Sequence, residues 1–226
     1  LVEYIEESDL SELMRGKGIA GDTWNEKMRV RNRIAMKFLY GIDHYMSMYQ
    51  QDPIVHRDLK PENVLASPDG TIVKIIDFDW VHLHASNVTV MLRREQKGTP
   101  GYADPRYWNS YICHPEMDIY SAGLVLYFIY TGKHHFYGSE EIKNYMIGDD
   151  YAYQLKEMPG IDERLSKIIA KMIAREEERY GSIKEVIQDM TAYLTSVRKL
   201  PELPELLTQS QEEKTSVFLS DRRCEI

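Results

Sequence analysis

Three oxygen-bearing side chains lie within one short stretch of this chain, residues 54–80. Asp58 is followed five residues later by Asn63, and Asp77 closes the next apolar run. Carboxylate and carboxamide oxygens hold Mg2+ on the phosphates of a nucleotide, and a carboxylate can accept the proton of an attacking hydroxyl. The residue types and their spacing therefore point to phosphoryl transfer.

A β-hairpin is the element that would bring these side chains together. Residues 71–76 predict a strand after a turn at 67–70, and a short apolar piece at 64–65 precedes that turn. Such a hairpin returns Asp77 to the mouth where Asn63 begins. The two side chains could then share a divalent metal, while Asp58 faces the attacking hydroxyl.

The remainder of the chain is predicted to be mostly helical. Apolar residues recur every three or four positions from 24 to 50, and further helices are predicted at about 139–147, 162–174 and 183–196. An almost wholly apolar helix from Asp118 to about Tyr130 would be the buried axis. The predicted fold class is mainly α (α+β), with a small β-hairpin that carries the catalytic and metal-binding loops.

Two other stretches are interpreted as surface features. The glycine-rich segment 14–22 lacks the G-x-G-x-x-G pattern and is predicted to be a loop rather than a phosphate cradle. The long helix carries four basic residues that we interpret as a solvated face. These residues are Arg29, Arg31, Arg33 and Lys37.

The composition fits one domain and argues against several classes of function. With 226 residues, of which 43% are apolar, the chain can bury one core. A net charge of -8 argues against a nucleic-acid binder. The longest apolar stretch, 123–130, is too short to span a bilayer, and two distant cysteines give no disulfide framework. We therefore expect an intracellular, cytoplasmic protein.

The ordered motifs resemble those of the eukaryotic-type Ser/Thr protein kinases, over the larger, C-terminal lobe. They are His56-Arg57-Asp58 with Asn63, Asp77-Phe78, Gly98-Thr99-Pro100-Gly101-Tyr102 and Asp118-Ile119-Tyr120-Ser121-Ala122-Gly123. The resemblance implies a hinge-like segment at 1–8 and a kinase C-terminal lobe at 9–199. Residues 200–226 hold two prolines and many polar residues and are predicted to be a mostly disordered tail.

The resemblance also implies a role for each residue of the site. Asp58 would orient and deprotonate the acceptor hydroxyl of a protein substrate, Lys60 would stabilise the transferred phosphate, and Thr99 would hydrogen-bond between them. Asn63 and Asp77 would hold Mg2+. The residues implied to bind ATP are Glu3, Ile5, Asp9, Lys60, Glu62, Asn63, Leu65 and Asp77.

Several of these residues also have a simpler interpretation. Asp9 could cap a helix, Lys60 could be a surface lysine on a polar loop, and residues 98–101 could form a plain turn. The resemblance implies that Asp118 accepts hydrogen bonds from the backbone around Asp58. As a carboxylate in a first helical turn, Asp118 would also be favourable without that role.

Two positions depart from the pattern of the family. Asp79 stands where a Gly follows Asp-Phe, and Arg106 stands where a Glu usually pairs with a buried Arg, here Arg179. Two cations would then face each other, and half of a broken buried pair costs about 3–5 kcal/mol. Asp104 or one of the glutamates at 176–178 would have to take over to keep the activation segment anchored.

Glu95 occupies the position that the family often phosphorylates, counted back from Thr99. Arg57 normally pairs with that phosphate, and a carboxylate supplies part of the same charge. We therefore hypothesise that activity does not depend on phosphorylation at this position. A solvated Glu95 is the alternative.

The glycine-rich loop, the strand Lys and the helix Glu of the kinase N-terminal lobe are not found, and the first residue is Leu1. We therefore expect a fragment whose missing partner is that lobe, and which is nearly inactive alone. For the parent, an active kinase and a pseudokinase or scaffold both stay open. A small-molecule kinase of the aminoglycoside-phosphotransferase type shares the Asp, Asn and Asp set, but not the motifs at 98–102 and 118–123.

Overall fold

A computed structural model describes residues 8–48, 54–78, 82–83, 98–110, 114–147 and 150–197. The helices are α1 (Leu10–Glu12), α2 (Trp24–Ser47), α3 (Pro105–Ser110), α4 (Pro115–Thr131), α5 (Ser139–Ile147), α6 (Glu163–Ile173) and α7 (Ile183–Ser196). The strands are β1 (Ser8–Asp9), β2 (Ile54–Val55), β3 (Val64–Ala66), β4 (Val73–Ile75) and β5 (His82–Leu83). Short 3₁₀ turns lie at Pro61–Asn63, Asp150–Tyr153 and Glu176–Glu178. The predicted mainly α fold with a small sheet is confirmed.

The β3–β4 hairpin is confirmed, although β4 is shorter than the predicted strand. Both strands are antiparallel, with Val64 opposite Ile75, and β1 adds to the other edge of β3. The Asp69 carboxylate closes the turn by accepting hydrogen bonds from the hydroxyl of Ser67 and the backbone N–H of Thr71. The hydrogen bond from Ser67, followed by those from Thr71, lowers the pKa of Asp69 to about 2.

Helix α4 is the buried axis of the described fold, as the sequence predicted. All residues from 117 to 130 are buried, so the helix is surrounded by other elements on every side. Pro115 occupies the first turn, where no backbone N–H is needed, and Gly132 ends the helix in a left-handed conformation with φ 69°.

Close packing between α4 and α6 depends on Gly123. A Cβ atom at this position would lie 2.7 Å from Cγ2 of Ile173 and 2.9 Å from Cβ of Met172. Helix α6 turns an apolar face towards α4, with Leu165 and Ile169 among its buried residues. The absence of a side chain at one position thus sets the distance between the two helices.

Helix α2 starts with a capping box and ends at Ser47, before the predicted end at residue 50. The side chain of Thr23 accepts a hydrogen bond from the backbone N–H of Glu26, whose carboxylate bonds back to the N–H of Thr23. Met48 is the last described residue before 54.

Three of the four basic residues that were predicted to form a solvated face of α2 also make specific hydrogen bonds. Nη1 of Arg31 donates to the carbonyl oxygens of residues 129 and 130, at 2.7 and 2.9 Å, at the C-terminal end of α4. Arg33 and Lys37 each donate, at 2.6 Å, to a backbone carbonyl of the hairpin turn. The helix register could not reveal these acceptors because they belong to distant parts of the chain.

The glycine-rich segment is also more regular than predicted. A π-helical turn occupies Leu13–Lys17, and the N–H of Gly18 donates to the carbonyl oxygen of Leu13 at 2.9 Å. Leu10 and Leu13 are fully buried. The burial of these two side chains in the core stabilises a helical turn at Leu13–Lys17, in a segment that its glycine content predicted to be a loop.

The hinge residues Glu3 and Ile5 and the tail at 200–226 lie outside the described residues. The boundaries 1–8, 9–199 and 200–226 stay predictions. Within the part of the chain that the structure describes, no helix combines the length and apolar character needed to cross a bilayer.

Candidate active site

The buried carboxylate of Asp118 fixes the loop that carries Asp58. One oxygen accepts hydrogen bonds from the backbone N–H of His56 at 2.6 Å and from the hydroxyl of Tyr45 at 2.8 Å, and the other accepts from the N–H of Arg57 at 3.0 Å. Burial raises the pKa of Asp118, and the N–H donors and the Tyr45 hydroxyl oppose that rise by favouring the ionised form.

Arg57 needs this support because its backbone is strained. Its φ of 73° lies in the left-handed region, which costs a non-glycine residue about 1–3 kcal/mol. Besides the bond from its N–H to Asp118, Nη2 of its side chain donates to the hydroxyl of Tyr107 at 2.7 Å. The residue next to Asp58 is therefore held from both backbone and side chain.

His56 links this loop to the segment that carries Asp77. Its Nδ1 accepts a weak hydrogen bond from the N–H of Asp58 at 3.4 Å, so we assign the ring proton to Nε2, which lies 3.0 Å from the carbonyl oxygen of Ile76. The ring of Phe78 lies 4.7 Å from that of His56, centre to centre. The residues on both sides of Asp77 are thus in contact with His56.

Four of the predicted site residues form one hydrogen-bonded cluster around Asp58. The hydroxyl of Thr99 donates to Oδ1 of Asp58 at 2.7 Å and accepts from Nζ of Lys60 at 2.9 Å. Oδ2 of Asp58 lies 2.9 Å from the same Nζ and 3.2 Å from Nδ2 of Asn63. A carboxylate has about four acceptor positions, and three are used here, so one is left for an incoming hydroxyl.

Asn63 and Asp77 lie at the same mouth of the hairpin. The N–H of Ile76 donates to the carbonyl oxygen of Asn63 at 3.0 Å, which carries the pairing of β3 and β4 to the residue before Asp77. Asp77 is exposed and has a φ of 64°, a conformation that Asp tolerates better than most residues.

The donor chemistry of this mouth fits a Mg2+ ion. Both hydrogen bonds of the Asn63 side chain use its nitrogen, which leaves the amide oxygen for a cation. Among the described residues, no three or more His, Cys, Asp or Glu side chains form a group that could hold a metal. Mg2+ in nucleotide sites typically takes one or two side-chain oxygens and completes its shell with water and phosphates.

The structure places the other predicted nucleotide-binding residues around β1 and β3. Asp9 caps α1, since its Oδ1 accepts from the N–H of Glu12 at 2.9 Å, as the simpler interpretation expected. Leu65 is partly buried in β3, opposite Asp9. Oε1 of Glu62 accepts from the hydroxyl of Ser11 at 2.7 Å. Glu62 directly precedes Asn63, and Leu65 lies two residues after it, in the strand that pairs with Asp9.

Two residues of the site were not singled out from the sequence. Tyr45 counted only as part of the apolar stripe of α2, although its hydroxyl binds Asp118. Tyr107 follows the motif at 104–106 and carries no pattern of its own, although its hydroxyl binds Arg57. Asp79 and Glu95 lie outside the described residues, so the hypotheses about them stay untested.

The segment that contains Thr99 is anchored to the core by an ion-pair network centred on Asp104. Nη1 of Arg179 lies 2.5 Å from Oδ2 of Asp104, and both side chains are almost completely buried. Arg106 also pairs with Asp104, at 2.9 Å, and with Glu176. The two arginines are therefore not left facing each other without compensation. Burial would raise the pKa of Asp104, but Arg179 and Arg106 outweigh it and lower that pKa below its ordinary value.

Comparisons with known proteins agree with this geometry. The model of the protein kinase domain family matches residues 1–191. A probable myosin light chain kinase of Dictyostelium discoideum is 25% identical over 187 residues, covering 82% of this chain and 36% of the relative.

Two further relatives carry kinase names. The calmodulin-binding receptor-like cytoplasmic kinase 2 of Arabidopsis thaliana is 33% identical over 135 residues, covering 59% of this chain and 31% of the relative. The serine/threonine-protein kinase PknB of Mycobacterium leprae is 28% identical over 168 residues, covering 73% and 26%. The chain thus spans about a third or less of the length of these relatives. Because the family model matches most of its residues, the chain belongs to the protein kinase domain family.

Proposed function

We propose that the protein containing this chain is an ATP- and Mg2+-dependent kinase of serine and threonine residues in proteins. The observation that carries the proposal is the cluster in which Thr99, Lys60 and Asn63 all contact the Asp58 carboxylate. Family membership supports the use of ATP and a divalent metal in general. The protein substrate and the missing N-terminal lobe are part of the proposal.

In the proposed reaction, a Ser or Thr hydroxyl oxygen of the substrate forms a bond to the γ-phosphorus of ATP. The bond from that phosphorus to the ADP oxygen breaks, and the hydroxyl proton passes to Asp58. Thr99 and Asn63 hold the carboxylate in one orientation by hydrogen bonds to its two different oxygens. General base assistance of this kind contributes about 10²–10⁴-fold to a rate.

Lys60 is proposed to stabilise the transferred phosphate. Its ammonium lies against Asp58 and Thr99, and its side chain is 22% exposed, so the charge is positioned yet reachable by substrate. A cation in this place compensates negative charge that builds up on the phosphate oxygens. A lysine two residues after the catalytic Asp, together with relatives named serine/threonine kinases, supports Ser/Thr as the acceptor.

Asn63 and Asp77 are proposed to hold Mg2+, which when bound neutralises charge on the phosphates. The remaining nucleotide contacts are proposed for Asp9, Glu62 and Leu65, and for the hinge residues Glu3 and Ile5. Asp9 can serve both as helix cap and as ribose ligand, because the described cap uses only Oδ1.

A pseudokinase or scaffold is the second candidate, and Asp79 is the feature that favours it. Arg106 no longer does, because Asp104 and Glu176 pair with its guanidinium. Asp79 stands where the family has Gly, but Asp is one of the residues that tolerate a left-handed backbone.

A radiolabelled phosphate-transfer assay on the full-length protein separates the two candidates. We expect label on protein for the wild type, and a loss of at least about 100-fold in the Asp77→Asn variant because one metal ligand is weakened. Asp22→Asn is the matched control, since Asp22 is an exposed carboxylate just before α2 and is not among the residues proposed for the site. Label in neither protein would support the scaffold and refute the proposal.

A further inference from the structure

Each oxygen of the Asp104 carboxylate accepts at least two hydrogen bonds. Its Oδ1 accepts from the backbone N–H and from Nε of Arg106, at 2.9 and 3.1 Å. Its Oδ2 accepts from Nη2 of Arg106 at 2.9 Å and from Nη1 of Arg179 at 2.5 Å. The exposed fraction of Asp104 is 1% and that of Arg179 is 7%. A buried charge this well compensated is costly to break, because either partner alone would be left unpaired.

Arg179 in turn is fixed where α4 and α6 meet. Its Nε and Nη2 donate to the carbonyl oxygen of Ala174, at 3.0 and 2.8 Å, just beyond the end of α6. Its Nη1 also donates to the carbonyl oxygen of Glu116 in the first turn of α4, at 3.1 Å. Asp104 is therefore bound to the rigid centre of the described fold.

A short hydrogen-bonded turn connects Asp104 to the catalytic cluster. The N–H groups of Tyr102 and Ala103 both donate to the carbonyl oxygen of Thr99, at 3.0 and 3.2 Å. The hydroxyl of Thr99 then binds Asp58. Any shift of Asp104 would be transmitted through this turn to the Thr99 hydroxyl.

We propose that Asp104 is a positioning residue that holds the Thr99 hydroxyl on Asp58 by anchoring residues 98–103 to Arg179. The carboxylate that pairs with Arg179 thus stands at residue 104, two positions before the place where the resemblance implies a Glu and where this chain has Arg106. Arg106 is accommodated by its second pairing, with Glu176 at the surface. The catalytic part of this inference rests on the kinase activity proposed above, while the anchor itself does not.

Two variants test whether the carboxylate at residue 104 holds the catalytic cluster. Backbone hydrogen exchange tests the anchor independently of kinase activity. In Asp104→Asn we expect kcat to fall about 10–100-fold, with KM for ATP nearly unchanged, because positioning rather than nucleotide binding is lost. Amide exchange at residues 102 and 103 should become at least about tenfold faster. The double variant Asp104→Ala with Arg106→Glu returns the carboxylate to residue 106, and we expect it to restore both kcat and slow exchange.

The control uses a second Asp-x-Arg unit with the same local geometry. Asp162 binds the N–H of Arg164 at 2.9 Å and its guanidinium at 2.8 and 3.1 Å, but this pair lies at the surface. Asp162→Asn should change neither kcat nor exchange at 102 and 103.

Three results would overturn the inference. One is fast exchange at residues 102 and 103 in the wild type, which can be seen even if no variant folds. Another is wild-type kcat and exchange in Asp104→Asn. The third is a folded double variant in which neither quantity recovers. If the wild type transfers no phosphate, the proposed function fails, and the exchange data alone still decide whether Asp104 is the anchor.

Discussion

Replacing Asp118 with Asn should weaken both the fold and the catalytic loop. The change conserves shape, but an amide has one acceptor oxygen where the carboxylate has two. In the better orientation, the amide oxygen keeps the hydrogen bonds from His56 and Tyr45, and the NH2 group faces the N–H of Arg57. One buried donor is then opposed by another donor.

The size of the effect follows from these three contacts. Each retained hydrogen bond falls from about 1.5–3 kcal/mol, the value for a charged partner, to about 0.5–1.5 kcal/mol, and an unpaired buried donor costs about 1–3 kcal/mol. The total loss is about 3–6 kcal/mol by these values. Because burial raises the pKa of Asp118, removal of its charge returns part of this loss. We expect a net decrease of about 2–3 kcal/mol in the free energy of unfolding.

Urea unfolding followed by tryptophan fluorescence measures this change in the full-length protein. The matched variant is Tyr45→Phe, which removes one of the three donors and keeps the carboxylate, so it should cost about 1.5–2 kcal/mol, the lower end of the value for a charged partner. Phosphate transfer should fall in Asp118→Asn as well, since the strained backbone of Arg57 loses its acceptor. The reasoning is refuted if Asp118→Asn is as stable as the wild type, or if Tyr45→Phe is the more damaging change.

Two further predictions concern pH and packing. Burial, and to a smaller extent the charge of Lys156, lowers the pKa of His135 to about 4 in the folded protein. In the unfolded chain the same imidazole is protonated below about pH 6.5, so protonation favours the unfolded state between these two values. Stability should therefore fall as the pH drops from about 6.5 towards 4, by up to about 3 kcal/mol from this group, and urea midpoints at several pH values should show a shallower fall in His135→Gln. Gly123→Ala should lose about 1–3 kcal/mol in urea unfolding, because its Cβ would clash with the backbone-proximal Met172 Cβ and with Ile173. Gly41→Ala is the control: its Cβ meets only the end of the Ile75 side chain at 3.2 Å, so the midpoint should stay within about 1 kcal/mol of the wild type, and equal losses in both variants would contradict the packing argument.

Local patterns were sufficient to predict the hairpin and the buried axis. The turn at residues 67–70 and the apolar pieces beside it determine the pairing of β3 with β4, which brings Asn63 beside the segment that precedes Asp77. Helix α4 was predictable because nearly every residue in it is apolar, which leaves no face suited to water.

Contacts between distant residues could not be predicted in the same way. Tyr45 and Arg31 fit the patterns of an apolar stripe and a polar face, yet each makes a specific hydrogen bond to α4 that depends on how the helices pack. The sequence also left open whether Asp104 or a glutamate at 176–178 would compensate Arg106. Both do so, because the segment that follows α6 brings Arg179 to Asp104 and Glu176 to Arg106, and Asp104 also pairs with Arg106.

The most direct test of the phosphoryl-transfer site is a single-turnover measurement on the full-length protein, with nucleotide affinity measured in parallel. In Asp58→Asn we expect the rate of phosphate transfer to fall by about 10²–10⁴-fold, because the group that accepts the hydroxyl proton is removed. The affinity for Mg-ATP should change little, because Asp58 contacts Asn63 through the amide nitrogen and leaves the amide oxygen, which is proposed to hold the metal, untouched. A wild-type transfer rate in this variant would contradict the account.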